Sequence, residues 1–332
     1  MMNRVSVVLL NYNGHSETVP CLESLLKSDF PLQEIVIVDN NSSDNSVEYL
    51  QDWLNGKINY SYQFDPECFP LENKPIPYSL YNNSAVEMKL VRKPFVNDLN
   101  TCITLIQNYS NGGFSAGNNI GIRYLLTRKT EIIWLLNNDT IVKKDTLSEM
   151  MKIYDSSEDK KVIIGSCLYY NHKRDEIQAY GGGCVNFITG GAYSVKKQGH
   201  VDYITGASLL MPSSGFNEIG YLDEKYFMYW EDTDFSFRAK KMKWNVIVAG
   251  NSIVYHKHNA STEKENLTNN YFRDISTARG ALRFFFKHAG IFAVFPICLR
   301  MSTAFIKRIR KLSFAGFGLI VSRILIKKSV QK

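Results

Sequence analysis

Residues 132–140 read Ile-Ile-Trp-Leu-Leu-Asn-Asn-Asp-Thr, an apolar run that stops in three polar side chains, the last a carboxylate. An apolar run without alternation is the pattern of a strand covered on both faces. In open parallel α/β sheets, ligands sit beyond the carboxyl ends of such strands. Asp139 is then an active-site acid able to hold a hard divalent cation through oxygen. The alternative is a plain polar turn, for which Asn, Asp and Thr are ordinary residues. Asp39 ends a second apolar run, residues 34–38, in the same way. Further on, Glu231, Asp232 and Asp234 lie beside Tyr226, Phe227, Tyr229 and Trp230, an aromatic setting unlike a solvated acidic face. Carboxylates among aromatics at a helix start suit a tuned general base facing a sugar-like substrate. Asp234 is expected at the amino terminus of a helix over 235–244. His256 ends a short strand within 252–258, and it joins the site only if it faces Asp139; otherwise a strand-end histidine is structural.

The elements that must position these groups follow from periodicity. Residues 5–10 are a β-branched strand ended by Asn-Tyr-Asn-Gly, and Val19, Leu22, Leu25 and Leu26 then recur at helical spacing. With the strand over 35–38 this makes a βαβ unit, whose crossover is right-handed. Asn45 followed by Glu48 reads as a helix-capping arrangement. No Gly-x-Gly-x-x-Gly follows the first strand, which argues against dinucleotide binding. Residues 55–99, rich in Pro and Asn, read as an ordered surface insertion. A strand over 103–106 then leads into Asn-Gly-Gly-Phe-Ser-Ala-Gly-Asn-Asn (111–119), a glycine-rich loop ahead of a helix over 120–127 that can bring backbone N–H groups to an anionic ligand. A helix over 146–154, a strand over 162–165 and glycine patches at 181–183 and 190–191 complete the middle of the chain. The fold class is α/β, with strands 5–10, 35–38, 103–106 and 132–136 neighbouring, mainly parallel, and ending on one rim.

The 332 residues are 45% hydrophobic, enough for a sizeable core. The six cysteines are scattered with no Cys-x-x-Cys pair, which excludes a zinc knuckle or redox motif and suits a reducing compartment. The apolar amino terminus is too short for a signal peptide, so secretion is not expected. The net charge of +7 hides an asymmetry: residues 275–332 hold 12 of the 39 basic residues and no Asp or Glu. The mildly acidic remainder therefore carries a basic, apolar tail, which calls for an anionic partner.

Taken in order, the Asn-Tyr-Asn-Gly loop, VDNNSSDNS, NGGFSAGNN, WLLNNDT, the stretch from GASLLMP to YWEDTDFSFRA, and VYHKH resemble a family 2 glycosyltransferase with a GT-A fold, a Rossmann-like, mainly parallel central sheet flanked by helices. The subgroup most resembled contains bacterial rhamnosyltransferases of cell-surface polysaccharide synthesis. The likeness covers roughly residues 5–260, and implies a catalytic domain over 1–265 with a helical, basic, amphipathic and membrane-associating region over 266–332. It implies a nucleotide-diphosphate sugar donor contacted by Asn11, Asp39, Asn41, Gly113, Asn118 and Asn138. Asp139 and His256 become ligands of Mg²⁺ or Mn²⁺, Asp232 the catalytic base, and Trp230 and Glu231 acceptor-side residues, with Glu231 the competing base. Asn137 stands where many members have the first aspartate of the DXD motif; an amide still offers oxygen to a hard cation, without the charge. The implied reaction is a single in-line displacement with inversion, onto a hydroxyl of a glycan or lipid-linked acceptor. A nucleotidyltransferase would instead need a basic triphosphate loop near the first strand, and residues 11–16 have no Lys or Arg. A non-catalytic scaffold gives no reason for Asp139, Asp232 and His256 at matching places.

The tail is expected to lie on an anionic membrane at the cytoplasmic face. Its longest uncharged runs, 288–299 and 312–322, fall short of the roughly 18–20 residues that span a bilayer. Met301, Phe305, Ile309 and Leu312 instead recur on one helical face, with Lys307, Arg308, Arg310 and Lys311 around it. Nucleic acid would match the charge but makes little use of so many Phe, Ile and Leu side chains.

Overall fold

A computed structural model describes residues 4–58, 74–82, 101–257, 267–293 and 296–299. The first half alternates strand and helix: β1 (Val5–Asn11), α1 (His15–Leu25), β2 (Leu32–Asp39), α2 (Ser46–Leu54), β3 (Tyr78–Asn82), β4 (Cys102–Gln107), α3 (Gly113–Thr127) and β5 (Ile132–Asn137). Strands β3, β4, β2, β1 and β5 are neighbours in that order and all parallel. The four strands expected side by side are therefore adjacent. Their side chains alternate between two cores. Val7, Leu9, Ile37 and Trp134 meet Leu22, Leu50 and Trp53 on one face. Val8, Val36, Val38 and Leu135 meet Ile120, Ile122 and Leu125 of α3 on the other. Burial on both faces is why these strands read as unbroken apolar runs.

Beyond β5 the sheet becomes mixed. It continues through β6 (Thr140–Val142), β7 (Val162–Tyr170), β8 (Lys173–Tyr180), β12 (Ser208–Pro212) and β13 (Asn245–His256), with α4 (Thr146–Ser156) and α5 (Ser214–Glu218) beside it. β12 lies antiparallel between β5 and β7, β13 runs parallel to β7, and β6 runs antiparallel to β13. The glycine patches at 181–183 and 190–191 belong to a small antiparallel sheet of β9 (Gly182–Asn186), β10 (Gly191–Ser194) and β11 (Tyr203–Ile204). The chain then forms α6 (Glu231–Lys241) and α7 (Leu267–His288).

Several boundaries differ from the expectation. Part of the insertion is an edge strand, β3, whose conformation is set by its ladder to β4 rather than by its own pattern. Asn45 stands at the amino end of α2 but caps nothing with its side chain; Asp44 accepts the Ser46 N–H instead. Strands β7 and β13 extend well beyond the short runs expected because they pair with each other along nearly their full length. α6 starts at Glu231, four residues early, so both candidate acids stand in its first turn. α3 starts at Gly113, seven residues early. Its glycines serve packing more than loop freedom: a Cβ on Gly117 would lie 2.3 Å from Leu10, and one on Gly121 2.6 Å from Val8. These two glycines, one helical turn apart, let α3 sit against β1.

Gly113 itself has φ +84°. A Cβ there would come within 2.2 Å of the Phe227 carbonyl oxygen, the same oxygen that accepts the Phe114 N–H at 2.7 Å. Gly113→Ala is expected to cost on the order of 1–3 kcal/mol for the backbone conformation alone, with the contact adding to it. Urea unfolding checks this; an unchanged midpoint contradicts it.

Candidate active site

A cavity of about 870 Å³ opens beyond the carboxyl ends of β1, β2 and β5. Asn137, Asn138, Asp139 and His256 line one part of it; Trp230, Glu231 and Asp232 line another, and Gly113 lies on its wall. His256 reaches Asp139 through strand register. In the β6–β13 ladder His256 pairs with Thr140, the residue after Asp139. The Lys257 N–H then bonds the Asp139 carbonyl oxygen at 3.0 Å. Imidazole Nε2 lies 3.2 Å from Asp139 Oδ1, with side chains 11% and 12% exposed. The condition set by the sequence, that His256 face Asp139, is met. Among the described residues no three His, Cys, Asp or Glu side chains converge on one point. A carboxylate and an imidazole with an open side match a cation that takes its remaining ligands from phosphate oxygens and water, so the donor set fits Mg²⁺ or Mn²⁺. Behind this loop Cys21 is buried against Thr140, and burial pushes its thiol up to about 12, leaving it protonated and inert.

The two acids of α6 stand in different surroundings. Tyr229 and Trp230, at φ +71° and +75°, turn the chain into the helix. Such a left-handed pair of bulky residues is strained, and strain of this kind gathers at functional sites. Asp232 accepts the Gly206 N–H on Oδ2 at 3.0 Å, and the Thr233 N–H and hydroxyl on Oδ1 at 2.6 and 3.2 Å. Burial raises its pKa, and these donors hold the rise in check. Glu231 Oε2 is buried with no hydrogen-bond partner. Burial, then the adjacent Asp232 charge, pushes Glu231 well above the carboxylate range, with no donor at its Oε2 to oppose the rise. Tyr203, another wall residue, has its phenol pushed up by burial and by the Asp232 charge.

Four of the residues expected at the donor do not line the cavity. Asn11 and Asp39 are buried behind it: Asn11 donates to Asp39 Oδ1 at 2.7 Å, and Ser42 donates to both carboxylate oxygens. Asn41 is exposed away from the cavity, and Asn118 is buried on α3 with its amide bonded to the Phe114 carbonyl oxygen. Asn138 does line it, held by Thr18 at 2.8 Å. Tyr12, Asn40 and Asn111, not among the expected donor residues, also line the cavity. Asn40 donates to Asn111 at 2.9 Å and to the Gly113 carbonyl at 3.2 Å. Their signal was present in the polar loops after β1, β2 and β4. Loop residues next to a strand-end acid were as good candidates as the acid itself. Trp230 touches the cavity, but its ring packs mainly on Phe284 and Phe285, at centroid distances of 5.0 and 5.6 Å.

Residues 6–66 match Glycosyl transferase family 2, and residues 82–277, more than half of the chain, match Glycosyltransferase like family 2. The chain belongs to glycosyltransferase family 2. A low-salt glycan biosynthesis hexosyltransferase, Agl10 of Haloferax volcanii, is 27% identical over 176 residues, 51% of this chain and 56% of that protein. An N-acetylglucosaminyl-diphospho-decaprenol L-rhamnosyltransferase of Mycobacterium tuberculosis is 40% identical over 58 residues, 17% of this chain and 19% of that one. The chain thus spans less than two thirds of the length of either relative. Among solved structures, GalNAc-T7 with UDP, GalNAc and Mn²⁺ superposes with a TM-score of 0.59 at 15% identity, over 97% of this chain and 56% of that one. A Pyrobaculum calidifontis mannosyltransferase in complex with GDP-Man and Mn²⁺ gives 0.54 at 13%, over 99% and 77%. The fold is GT-A.

In this family 2 glycosyltransferase the helix bearing the two acids is tied to α7. Asp234, with no exposed side-chain surface, accepts from Arg238 Nε at 2.8 Å, Lys287 Nζ at 2.9 Å and His288 Nε2 at 2.8 Å. Phe284 and Phe285 are fully buried in an apolar cluster with Trp230. The first part of the region expected to form a separate tail therefore packs on the catalytic domain; the segment around Met301–Leu312 lies outside the described residues. A Cβ on Gly280 would stand 2.7 Å from the Tyr229 carbonyl oxygen, so only glycine lets α7 approach this closely.

Burial raises the Asp234 pKa, but the three donors outweigh it and hold the carboxyl far below the aspartate range. A folded-state pKa below the unfolded value of about 3.9 gives stability that is fully present above that pH and is lost as pH falls toward the depressed value. Asp234→Asn is expected to cost about 3–5 kcal/mol at neutral pH by leaving buried cations unmatched. Its deficit relative to wild type should shrink below about pH 4. Urea denaturation of both proteins from pH 3 to 7 reads both effects; a deficit independent of pH contradicts the assignment.

Proposed function

We propose that the protein is an inverting, metal-dependent glycosyltransferase that moves a sugar from a nucleotide-diphosphate donor to a hydroxyl of a glycan or lipid-linked acceptor. The observation that carries this reading is a single cavity bounded by the Asp139–His256 pair and by the Asp232 carboxyl, oriented by Gly206 and Thr233 at the start of α6. Asp139 and His256 would hold the cation, and Asn137 offers an amide beside them, its Nδ2 3.4 Å from His256 Nε2. When bound, the cation neutralises charge on the diphosphate leaving group. Asp232 takes the proton of the acceptor hydroxyl as its oxygen forms a bond to the anomeric carbon. The bond from that carbon to the diphosphate oxygen breaks on the opposite face, and the configuration inverts. Gly206 and Thr233 orient the carboxylate throughout. The Haloferax relative is named a hexosyltransferase and the mycobacterial one an L-rhamnosyltransferase, which supports a hexose or deoxyhexose donor, rhamnose among them, and a role in surface polysaccharide synthesis.

Asp232→Asn is expected to lower transfer by on the order of 10² to 10⁴ with donor binding little changed. Glu231→Gln should cost much less, because no donor at Oε2 supports a charge on Glu231. The acid limb of kcat/KM should fall above the usual aspartate range, because the base works only when deprotonated and its pKa is raised. Transfer and hydrolysis assays with a panel of nucleotide sugars supply the activity; full activity in Asp232→Asn with loss in Glu231→Gln would move the role to Glu231.

The same reading places the enzyme on the cytoplasmic face of a membrane. The solvent side of α7 carries Phe286, 63% exposed, with Arg279 and Arg283 exposed on the same face, and Phe292 follows at 77%. Aromatics beside basic residues suit an anionic bilayer surface, and no described helix is long and apolar enough to cross one. In co-sedimentation with anionic liposomes at low salt, the full chain should pellet, and Phe286→Ser with Phe292→Ser should pellet several-fold less. Equal pelleting of the two contradicts this face as the attachment site.

A further inference from the structure

His256 offers a different partner to each ring nitrogen. Nε2 faces Asp139 and the Asn137 amide; Nδ1 lies 2.6 Å from Gln178 Oε1. We infer that Gln178 is the positioning residue that holds His256 as its Nδ1–H tautomer, turning the Nε2 lone pair toward the site of a divalent cation. The inference rests on the reading of Asp139 and His256 as cation ligands.

A neutral imidazole has one N–H donor and one acceptor nitrogen. An amide oxygen carries no hydrogen, so a 2.6 Å contact with it puts the proton on Nδ1. Turning the Gln178 amide over would set a nitrogen there instead, at a separation already short for an N–H to oxygen bond. It would also send the ring proton to Nε2, where it would close on Asp139 in place of a cation. Metal-binding histidines in general use their second nitrogen in this way.

The backbone shows how Gln178 gets there. In the β7–β8 ladder Leu168 pairs with Ala179 and Tyr169 with Ile177, so Gln178 is the unpaired residue of a bulge. Bulges re-aim a side chain, and this one delivers Gln178 to His256 at 6% exposure. Its Nε2 is buried with no hydrogen-bond partner, a cost that an apolar residue of the same length would not incur. The oxygen is therefore the part of this side chain with work at the site.

The test uses the full chain, with Mn²⁺ alone as probe. Gln178→Met keeps length and apolar packing but has no acceptor; Gln178→Glu keeps the acceptor and drops the orphaned donor. Electron paramagnetic resonance of free Mn²⁺ should show affinity reduced about 10- to 100-fold in Gln178→Met. Gln178→Glu should match or exceed wild type, a rescue that a merely structural role does not predict. Histidine ring ¹⁵N spectra without metal should report Nδ1–H for His256 in wild type and a tautomer mixture in Gln178→Met. Wild-type Mn²⁺ affinity in Gln178→Met, or a wild-type His256 protonated only at Nε2, overturns the inference while Asp139→Ala and His256→Ala still lose Mn²⁺. If those two variants also bind Mn²⁺ like wild type, the cation-ligand reading itself falls, and this inference with it.

Discussion

One strand register holds the site together. β6 is three residues long, and its antiparallel pairing with β13 sets His256 against Thr140. Only in that register does the imidazole stand beside the Asp139 carboxylate. Side chains alternate across a strand, so a slip by one residue would turn His256 to the other face and bring up Tyr255 or Lys257. The register is held from the other side as well, since β13 runs parallel to β7 with His256 beside Tyr170. Burial of Val254 and the bonds of Ser252 to Thr146 and Ser166 make the alternatives costly. The Asp139–His256 pair is set by sheet register on either side of the two-residue turn at Asn138 and Asp139.

The second half of the site depends on how unequally two adjacent carboxyls are treated. Asp232 receives three donors that oppose the upward push of burial, while Glu231 receives none at Oε2. Placing both in the first turn of α6 sets either carboxylate at the favourable end of the helix dipole. The strained Tyr229–Trp230 turn that brings them to the cavity is held in place by the aromatic cluster beneath it.

The parallel half of the sheet was legible because its strands are buried on both faces and stop abruptly in polar residues. Asp139 could be singled out for the same reason, Glu231 and Asp232 by their aromatic setting and His256 through the family resemblance, and the structure brings all four to one cavity. What was less legible depended on partners distant in sequence. β3 looks like loop until β4 pairs with it, and the small residues of α3 look like a flexible loop until β1 is seen beneath Gly117 and Gly121. The insertion of β12 between β5 and β7 carries no local signature at all. Asn11 and Asp39, expected at the donor, lie behind the cavity wall, hydrogen-bonded to each other and to Ser42.

The absence of a side chain at Gly280 has a mechanical meaning. Because α7 rests directly on the Tyr229 carbonyl, no compressible layer separates the helix from the turn that aims Asp232. The Asp234 carboxylate adds a polar tether at the far end of the same contact. α7 and the acid-bearing helix are therefore joined without an intervening layer, so α7 cannot shift toward the domain without displacing the turn that brings Asp232 to the cavity.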